Sequence, residues 1–210
     1  NGKKNNLILL NCQNRKFEYI SSNFNPYKII LINTNVEHNL ANSSYNQRVK
    51  ECEEALGIIN KNKNNYKYLV DVELNILNKF KDSMNRKVYN RAKFVIEENK
   101  RTHDSSVEIS KSNIKEFGKL MYQSHKGLRK LYEVSCEELD FLVDFSKSKK
   151  EVIGSRMMGG GFGGCTINLI RDDYVDDFIS SVSKAYLKKF NIEPSPLFVN
   201  IGDGVTIKTT

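Results

Sequence analysis

Apolar and polar residues are distributed along the start of the chain in a pattern that predicts strands. Residues 7–10 are apolar, residues 17–20 are apolar except for Glu18, and the polar run 11–16 separates them, so the two runs are expected to form a strand pair. Residues 28–32 are expected to form a third strand, in which the consecutive apolar residues 29–32 indicate burial on both faces. The chain therefore opens with two paired strands and continues into a strand near the centre of a sheet.

The next segment has apolar residues at helical spacing. Ser44 and Gln47 form the pattern of a capping box, so a helix is expected to begin at Tyr45. Its buried face would carry Val49, Cys52, Leu56 and Ile59. Residues 60–65 are rich in Asn and Lys and have nothing to bury, so they are expected to form a loop.

The middle of the chain is predicted to be helical. Asp82, Ser112 and the pair Ser135 and Glu138 suit the N-terminal caps of three further helices. The expected buried positions of these helices are Met84, Val88, Ala92 and Val95, then Ile114, Phe117, Met121 and Leu128, then Leu139, Leu142 and Val143.

The pattern changes from residue 153 onwards. A glycine-dense turn is followed by a predicted strand at 165–170, a helix at 174–190, and strands at 197–201 and 205–208. Strands at both ends with helices between them indicate an α+β fold. We expect a sandwich in which helices cover one face of a mostly antiparallel sheet.

Composition narrows the class of protein. The chain has 210 residues, of which 39% are hydrophobic and 28% charged, and no apolar run reaches the roughly 20 residues of a membrane span. The net charge of +8 suits a polyanion, but the lysines are spread along the chain and are not interleaved with aromatic residues. We therefore expect a globular protein that binds neither nucleic acid nor a membrane.

The cysteines and the start of the chain give expectations for the cellular compartment and for whether the sequence is part of a larger protein. Cys12, Cys52, Cys136 and Cys165 are far apart and form no metal-binding or redox motif. No apolar leader opens the sequence, so a cytoplasmic protein is expected. Residues 1–4 have the character of a turn between two elements, which indicates that the chain starts inside a larger protein.

The segment 154–164, GSRMMGGGFGG, is the part of the sequence that most demands an explanation. Five of the twelve glycines lie between positions 159 and 164. Glycine permits a positive φ and lets backbone N–H groups approach an anion closely, as in a phosphate-binding nest. A strand follows, so the loop does not open a helix as a dinucleotide-binding loop does, and it lacks the Gly-Lys-Ser/Thr of a P-loop. A tight structural connection is the alternative, and Arg156 could face either an anion or a neighbouring carboxylate.

Segment 154–165 closely resembles the third signature motif of the GHMP small-molecule kinases, in the form carried by their galactose-phosphorylating members. Residues 32–36, 43–53, 120–140 and 201–204 resemble other parts of the same family in the same order. The resemblance implies a ferredoxin-like C-terminal domain at residues 25–210. It also implies that the strand pair within residues 1–24 completes an N-terminal domain that is not in this chain.

The resemblance further implies a reaction and its participants. Such enzymes transfer the γ-phosphoryl group of ATP, with Mg²⁺, to the 1-hydroxyl of galactose. Their catalytic aspartate and phosphate loop would lie upstream of Asn1, so this chain carries no catalytic residue and is expected to be inactive alone. Galactose, ATP and the missing N-terminal domain are the expected partners.

Within this chain the resemblance assigns two sets of site residues. Tyr45 would contact the sugar through its hydroxyl. The loop next to the nucleotide phosphates would consist of Gly159, Gly160, Gly161, Phe162, Gly163 and Gly164.

No metal ligand is expected in this chain. The acidic residues Asp172, Asp173, Asp176 and Asp177 fall in the first turns of a predicted helix, where carboxylates interact favourably with the helix dipole. His38, His103 and His125 are scattered, and His125 is expected to be packed or solvated.

Three alternatives remain open at this stage. The intact protein could be a non-catalytic galactose and ATP sensor of the same fold, or a related sugar kinase such as an N-acetylgalactosamine kinase. A basic RNA-binding module on an α+β sandwich would instead show steeply salt-dependent RNA binding.

Overall fold

A computed structural model describes residues 1–37, 41–61 and 64–205, and it confirms the expected α+β class. The strands are β1 (Asn6–Leu10), β2 (Phe17–Ser21), β3 (Tyr27–Glu37), β4 (Val152–Met157), β5 (Gly163–Arg171) and β6 (Ser195–Phe198). The α-helices are α1 (Ala41–Asn60), α2 (Leu74–Lys79), α3 (Arg86–Ser110), α4 (Ile114–Gly127), α5 (Glu137–Lys147) and α6 (Val175–Phe190). A π-helical turn, Leu128–Tyr132, follows α4, and short 3₁₀ turns lie at Leu69–Asp71, Lys81–Ser83 and Asp172–Tyr174.

The strands form two antiparallel sheets within the described residues. The predicted pair β1 and β2 is a separate hairpin, in which Leu7 faces Ile20 across the strands. The larger sheet has the order β4-β5-β3-β6, so the predicted central strand β3 has a neighbour on each side. This order is the ferredoxin-like arrangement, with the first and third strands of the domain side by side in the middle.

Helices pack on both faces of the larger sheet. On one face, α5 and α6 bury Ile30, Ile170 and Phe178 in the main core. On the other face, α4 covers Leu169, with Ile29 packed beside it. The expectation that helices cover only one face is therefore wrong. The reason is visible in β3 and β5, where consecutive apolar residues leave the second face apolar and in need of cover.

The predicted helix starts are displaced from the observed ones. Helix α1 begins at Ala41, so Ser44 lies within its first turn and neither caps it nor places its start at Tyr45. The capping residue of α3 is Asn85, whose side chain accepts a hydrogen bond of 2.9 Å from the N–H of Val88, and not Asp82. Several polar residues precede each apolar run, and the sequence pattern does not distinguish which one takes the capping position.

The starts of α4 and α5 are each displaced by one residue. Asn113 precedes α4, while Ser112 lies in the connecting turn with a φ of 57°. Cys136 precedes α5, and the Ser135 hydroxyl is 2.6 Å from Asp140 Oδ1 instead of capping the helix.

Strand β4 was not expected, because its glycine was attributed to a turn. Gly154 lies in β4 where α4 passes very close to it, and a Cβ at Gly154 would lie 2.7 Å from Gly118 Cα. A Cβ at Gly118 would in turn lie 2.2 Å from the carbonyl oxygen of Ile153. The two glycines therefore serve the close packing of α4 on β4. The short helix α2 was also absent from the prediction.

The remaining predictions concern the ends of the chain. The strand expected at 197–201 is β6, displaced towards the N-terminus. The strand expected at 205–208 falls mostly outside the described residues. His38 lies outside them altogether.

No helix in the described ranges is long and apolar enough to cross a membrane. The division into domains at residue 24 stays a prediction.

Candidate functional site

The glycine-rich segment is a tight connection between two antiparallel strands. Strand β4 ends at Met157 and β5 begins at Gly163, so the exposed part of the loop is only a few residues long. Left-handed φ values of 77°, 85°, 127° and 79° occur at Gly159, Gly161, Gly163 and Gly164. These conformations strain residues with a Cβ, which explains the glycines at these positions.

The tip of the loop is open and its base is packed. A Cβ placed on Gly159 or Gly160 would meet no atom within 4 Å, so their backbone is accessible from outside. A Cβ on Gly161 would instead lie 2.1 Å from the carbonyl oxygen of Val134. The loop is thus pressed against the chain that connects α4 and α5, while two peptide units remain free to face a ligand.

Phe162 fixes the base of the loop. Its N–H donates a hydrogen bond of 2.8 Å to the Val134 carbonyl, and its side chain packs on the buried residues Val134, Leu139 and Met157. Its φ of 58° is unusual for an aromatic residue and costs on the order of 1–3 kcal/mol. The hydrogen bond and the packing offset this strain, so the conformation is imposed by the surrounding structure.

Tyr45 lies near the start of α1, and the same connecting chain holds that helix. The Tyr45 side chain is 51% exposed, which leaves it accessible to a ligand. Three residues further on, the Arg48 guanidinium donates to the carbonyl of Tyr132 at 2.7 Å and to that of Glu133 at 3.1 Å. Segment 132–134 therefore contacts both the helix that carries Tyr45 and the glycine loop.

A buried ion cluster supports this arrangement, and the sequence analysis missed it. Arg91 is 1% exposed and forms ion pairs with Glu51 at 2.9 Å and with Glu133 at 2.7 Å. Its guanidinium also donates to the carbonyl of Leu131. Arg91 follows the buried Val88 at helical spacing, and a charged residue inside an apolar stripe is the signal that could have revealed it.

The phenol of Tyr132 is partly buried, and its raised pKa keeps it protonated at physiological pH. Burial, the Cys52 thiol and the nearby Tyr45 raise the pKa of Tyr132. The pKa of the Cys52 thiol is raised as well, mainly by burial. Burial also raises the pKa of the Cys136 thiol to about 12. These groups are neutral at physiological pH and are unsuited to nucleophilic catalysis.

The structure resolves the two options for Arg156. Its guanidinium lies 3.3 Å from the Ser124 hydroxyl and 3.8 Å from a carboxylate oxygen of Glu98, so it faces a neighbouring carboxylate. Burial lowers its pKa, although the Glu98 charge opposes that effect. Arg156 also lines a cleft of about 290 Å³ between the β1–β2 hairpin and helices α3 and α4.

The acidic and histidine residues do not form a metal centre in the described ranges. No group of three or more His, Cys, Asp or Glu side chains there is placed to hold a metal ion. Asp172 and Asp173 lie in the 3₁₀ turn before α6, and Asp176 and Asp177 lie in its first turn, as the dipole interpretation predicts. The open peptides of the glycine loop suit the phosphate oxygens of a nucleotide, whereas any metal bound with it would need ligands from elsewhere.

Comparison with known proteins shows which proteins this chain resembles. Residues 106–188 match the family model described as GHMP kinases C terminal. The chain is 43% identical over 204 residues to a galactokinase of Fusobacterium nucleatum and 44% identical over 206 residues to one of Clostridium acetobutylicum. In both cases the match covers 97% of this chain and 52% of the relative.

A solved structure agrees with these sequence matches. The structure of Lactococcus lactis galactokinase complexed with galactose superimposes with a TM-score of 0.91 at 31% identity, covering 98% of this chain and 53% of that one. The chain therefore resembles the C-terminal part of the GHMP kinase family, whose model matches its residues 106–188. Within the family its similarity is to galactokinases, and it spans about half the length of the curated relatives it matches.

Proposed function

We propose that the complete protein is a galactokinase, which transfers the γ-phosphoryl group of ATP to the 1-hydroxyl of galactose in the first committed step of galactose catabolism. Similarity to galactokinases over 97% of the chain carries this proposal. Because the chain covers about 52% of those relatives, the catalytic aspartate and the phosphate loop are assigned to the remaining half. The cytoplasmic location expected from the sequence stays a prediction.

In this proposal Tyr45 contacts the sugar and the glycine loop lies beside the transferred phosphoryl group. Two observations support the first assignment. Tyr45 is exposed, and Arg48 holds the helix that carries it to segment 132–134. The open backbone at Gly159 and Gly160 supports the second. Phosphoryl transfer depends on positioning and on stabilising negative charge, so fixed peptide N–H groups can contribute without side chains. ATP would be bound with Mg²⁺, whose ligands belong mainly to the missing half.

The β1–β2 hairpin is proposed to complete the upstream domain. One of its faces carries Ile8, Leu10, Phe17 and Tyr19, which are 41%, 53%, 38% and 42% exposed. A two-stranded hairpin with an uncovered apolar face is marginally stable in water by itself. About half the length of the relatives lies outside this chain, and that half is the proposed cover for this face.

The reaction is tested directly with the complete protein. Incubation with ATP, Mg²⁺ and galactose should give galactose 1-phosphate, whereas these 210 residues alone should give none. Faster phosphorylation of N-acetylgalactosamine than of galactose would assign the related kinase instead. Binding of both ligands without turnover would indicate a sensor. Turnover by the isolated chain would overturn the assignment of the catalytic aspartate to the upstream half.

The role of Tyr45 is tested by Tyr45→Phe, which removes only the hydroxyl. Loss of one hydrogen bond to the sugar should raise KM for galactose by about fivefold and leave KM for ATP unchanged. Tyr68→Phe is the matched control, because Tyr68 is another exposed tyrosine, with 41% of its surface accessible. Equal galactose KM values in the two variants would contradict the assignment.

The role of the hairpin is tested in the complete protein by Leu10→Asp. If the upstream half covers this face, the charge would be buried and the protein should lose about 2 kcal/mol or more of unfolding free energy. Leu187→Asp on α6, where Leu187 is 45% exposed in this chain, is the control and should have a small effect. Similar unfolding free energies for the two variants would contradict the proposed interface.

A further inference from the structure

A buried histidine lies directly behind the glycine loop. His125 is on α4 and is only 3% exposed. Its ring nitrogen Nδ1 accepts a hydrogen bond of 3.2 Å from the backbone N–H of Met157, the last residue of β4. The packed environment agrees with the sequence-based expectation for His125, but the hydrogen bond to the strand was not foreseen.

The position of β4 explains why Met157 needs this acceptor. Strand β4 lies at the edge of the larger sheet and pairs only with β5 among the described strands. The N–H of Met158 donates to the Cys165 carbonyl at 3.0 Å, and successive N–H groups of a strand point to opposite sides. The N–H of Met157 therefore points away from β5. Leaving such a buried donor without a partner is unfavourable, and the bond to His125 avoids this.

A second group holds the imidazole from its other side. His125 Nε2 lies 3.3 Å from Asp140 Oδ1, near enough for attraction although not aligned as a regular hydrogen bond. Asp140 is itself fixed by the Ser135 hydroxyl at 2.6 Å and by Arg129 Nε at 2.7 Å. Burial would raise the pKa of Asp140, but His125, Ser135 and Arg129 together lower it. The carboxylate is therefore ionised and favours the tautomer that carries its proton on Nε2.

We propose that His125 is a positioning residue for the glycine loop. By accepting the Met157 N–H, it fixes the end of the strand from which the loop departs, two residues before Gly159. Phe162 is fixed at the other end by Val134, so the open peptides of Gly159 and Gly160 are held between two anchors. The expected effect on ATP rests on the proposed function, whereas the effect on the Met157 amide does not.

Three substitutions test the contacts of the two imidazole nitrogens separately. His125→Asn keeps an acceptor oxygen near the position of Nδ1, His125→Gln keeps a donor near that of Nε2, and His125→Leu removes both. In the complete protein, the Gln and Leu variants should raise KM for ATP by about tenfold, because a displaced loop no longer matches the phosphates. The Asn variant should stay within about twofold of wild type, and KM for galactose should change little in all three.

Hydrogen exchange gives a readout that does not depend on catalysis. The amide of Met157 should exchange slowly in wild type and in His125→Asn, and at least tenfold faster in the Gln and Leu variants, as expected for a lost hydrogen bond. His103→Leu is the matched control, because His103 is an exposed histidine on α3. It should change neither the exchange rate nor KM.

The possible results separate this inference from the proposed function. Slow Met157 exchange in the Gln and Leu variants would overturn the positioning role, even if the protein phosphorylates galactose. A parallel rise in both KM values, or failure of His125→Asn to restore slow exchange, would also overturn it, because a purely structural role predicts that pattern. If wild type makes no galactose 1-phosphate while exchange follows the expected order, the positioning role stands and the proposed function fails.

Discussion

Arg91 and Glu51 form an ion pair in the interior of the protein, with Arg91 Nε 2.9 Å from Glu51 Oε2 and the arginine side chain 1% exposed. The pair joins α3 to α1, the helix that carries Tyr45. Arg91 also pairs with Glu133, immediately before Val134, which binds the glycine loop. One buried cation thus supports both parts of the candidate site.

Replacing Arg91 should be strongly destabilising. Arg91→Met leaves the buried carboxylate of Glu51 with Arg48 as its remaining cationic partner, at a cost of about 3 kcal/mol in unfolding free energy. Lys119→Met is the control, because Lys119 forms a 2.7 Å pair with Glu116 but its side chain is 68% exposed. That variant should lose less than about 1 kcal/mol in urea unfolding. Equal losses would show that burial of the Arg91 pair has no energetic importance.

The same cluster predicts how stability depends on pH. Burial opposes ionisation of Glu51, but hydrogen bonds from Arg91 and Gln47 lower the pKa of its carboxyl below the ordinary 4.5. The pKa of Glu133 is also lowered, chiefly by Arg91. A lowered folded-state pKa stabilises the protein above the unfolded-state value, and this contribution is lost as the pH falls through the folded-state pKa.

Urea unfolding from neutral pH to below pH 4.5 should therefore show a marked loss of stability in wild type. The loss should be smaller in Arg91→Met, because its carboxylates have less stabilisation to lose. Parallel pH profiles for the two proteins would contradict the role given to Arg91.

The contact between α4 and β4 predicts a stability difference between two glycines in helices. Gly118→Ala would place its Cβ 2.2 Å from the Ile153 carbonyl oxygen, so we expect a loss of about 1–3 kcal/mol from overpacking. Gly57→Ala on α1 meets no atom within 4 Å and should stabilise by about 0.5–1 kcal/mol. Thermal unfolding of both variants checks the prediction, and a stabilising Gly118→Ala would show that α4 is not this close to β4.

Alanine substitutions at two neighbouring glycines of the loop should also differ in their effect on the unfolding free energy. Gly161 has a φ of 85° and faces the Val134 carbonyl, so Gly161→Ala should cost about 1–3 kcal/mol in unfolding free energy. Gly160 has neither constraint, and Gly160→Ala should change the unfolding free energy by less than about 0.5 kcal/mol. The urea midpoints of the two variants test whether the base of the loop, and not its tip, is packed.

The parts of the fold that depend on local pattern were predictable from the sequence. The hairpin and β3 follow from short apolar runs, and the helix faces follow from helical spacing. Strand β4 was missed because Gly154 suggests a turn, whereas its actual reason is contact with Gly118 on another element. Sequence spacing carries no information about such an approach between distant residues.

The candidate site was predictable only in part, for the same reason. Tyr45 and the glycines were expected from motifs, and the helix of Tyr45 and the glycine loop both contact segment 132–134. Arg91 and His125 were not expected to support them, because their partners Glu51 and Met157 are distant in sequence. Buried polar residues depend on partners that only the folded chain identifies.

The backbone at Phe162 limits how the glycine-rich connection can move. Because the Phe162 side chain packs against Val134, Leu139 and Met157, an outward movement of the whole connection would have to break this packing. Gly159 and Gly160, where an added Cβ would meet no atom, are then the least constrained residues of the connection. A segment so rich in glycine can therefore remain well ordered, with little entropy to lose when a ligand arrives.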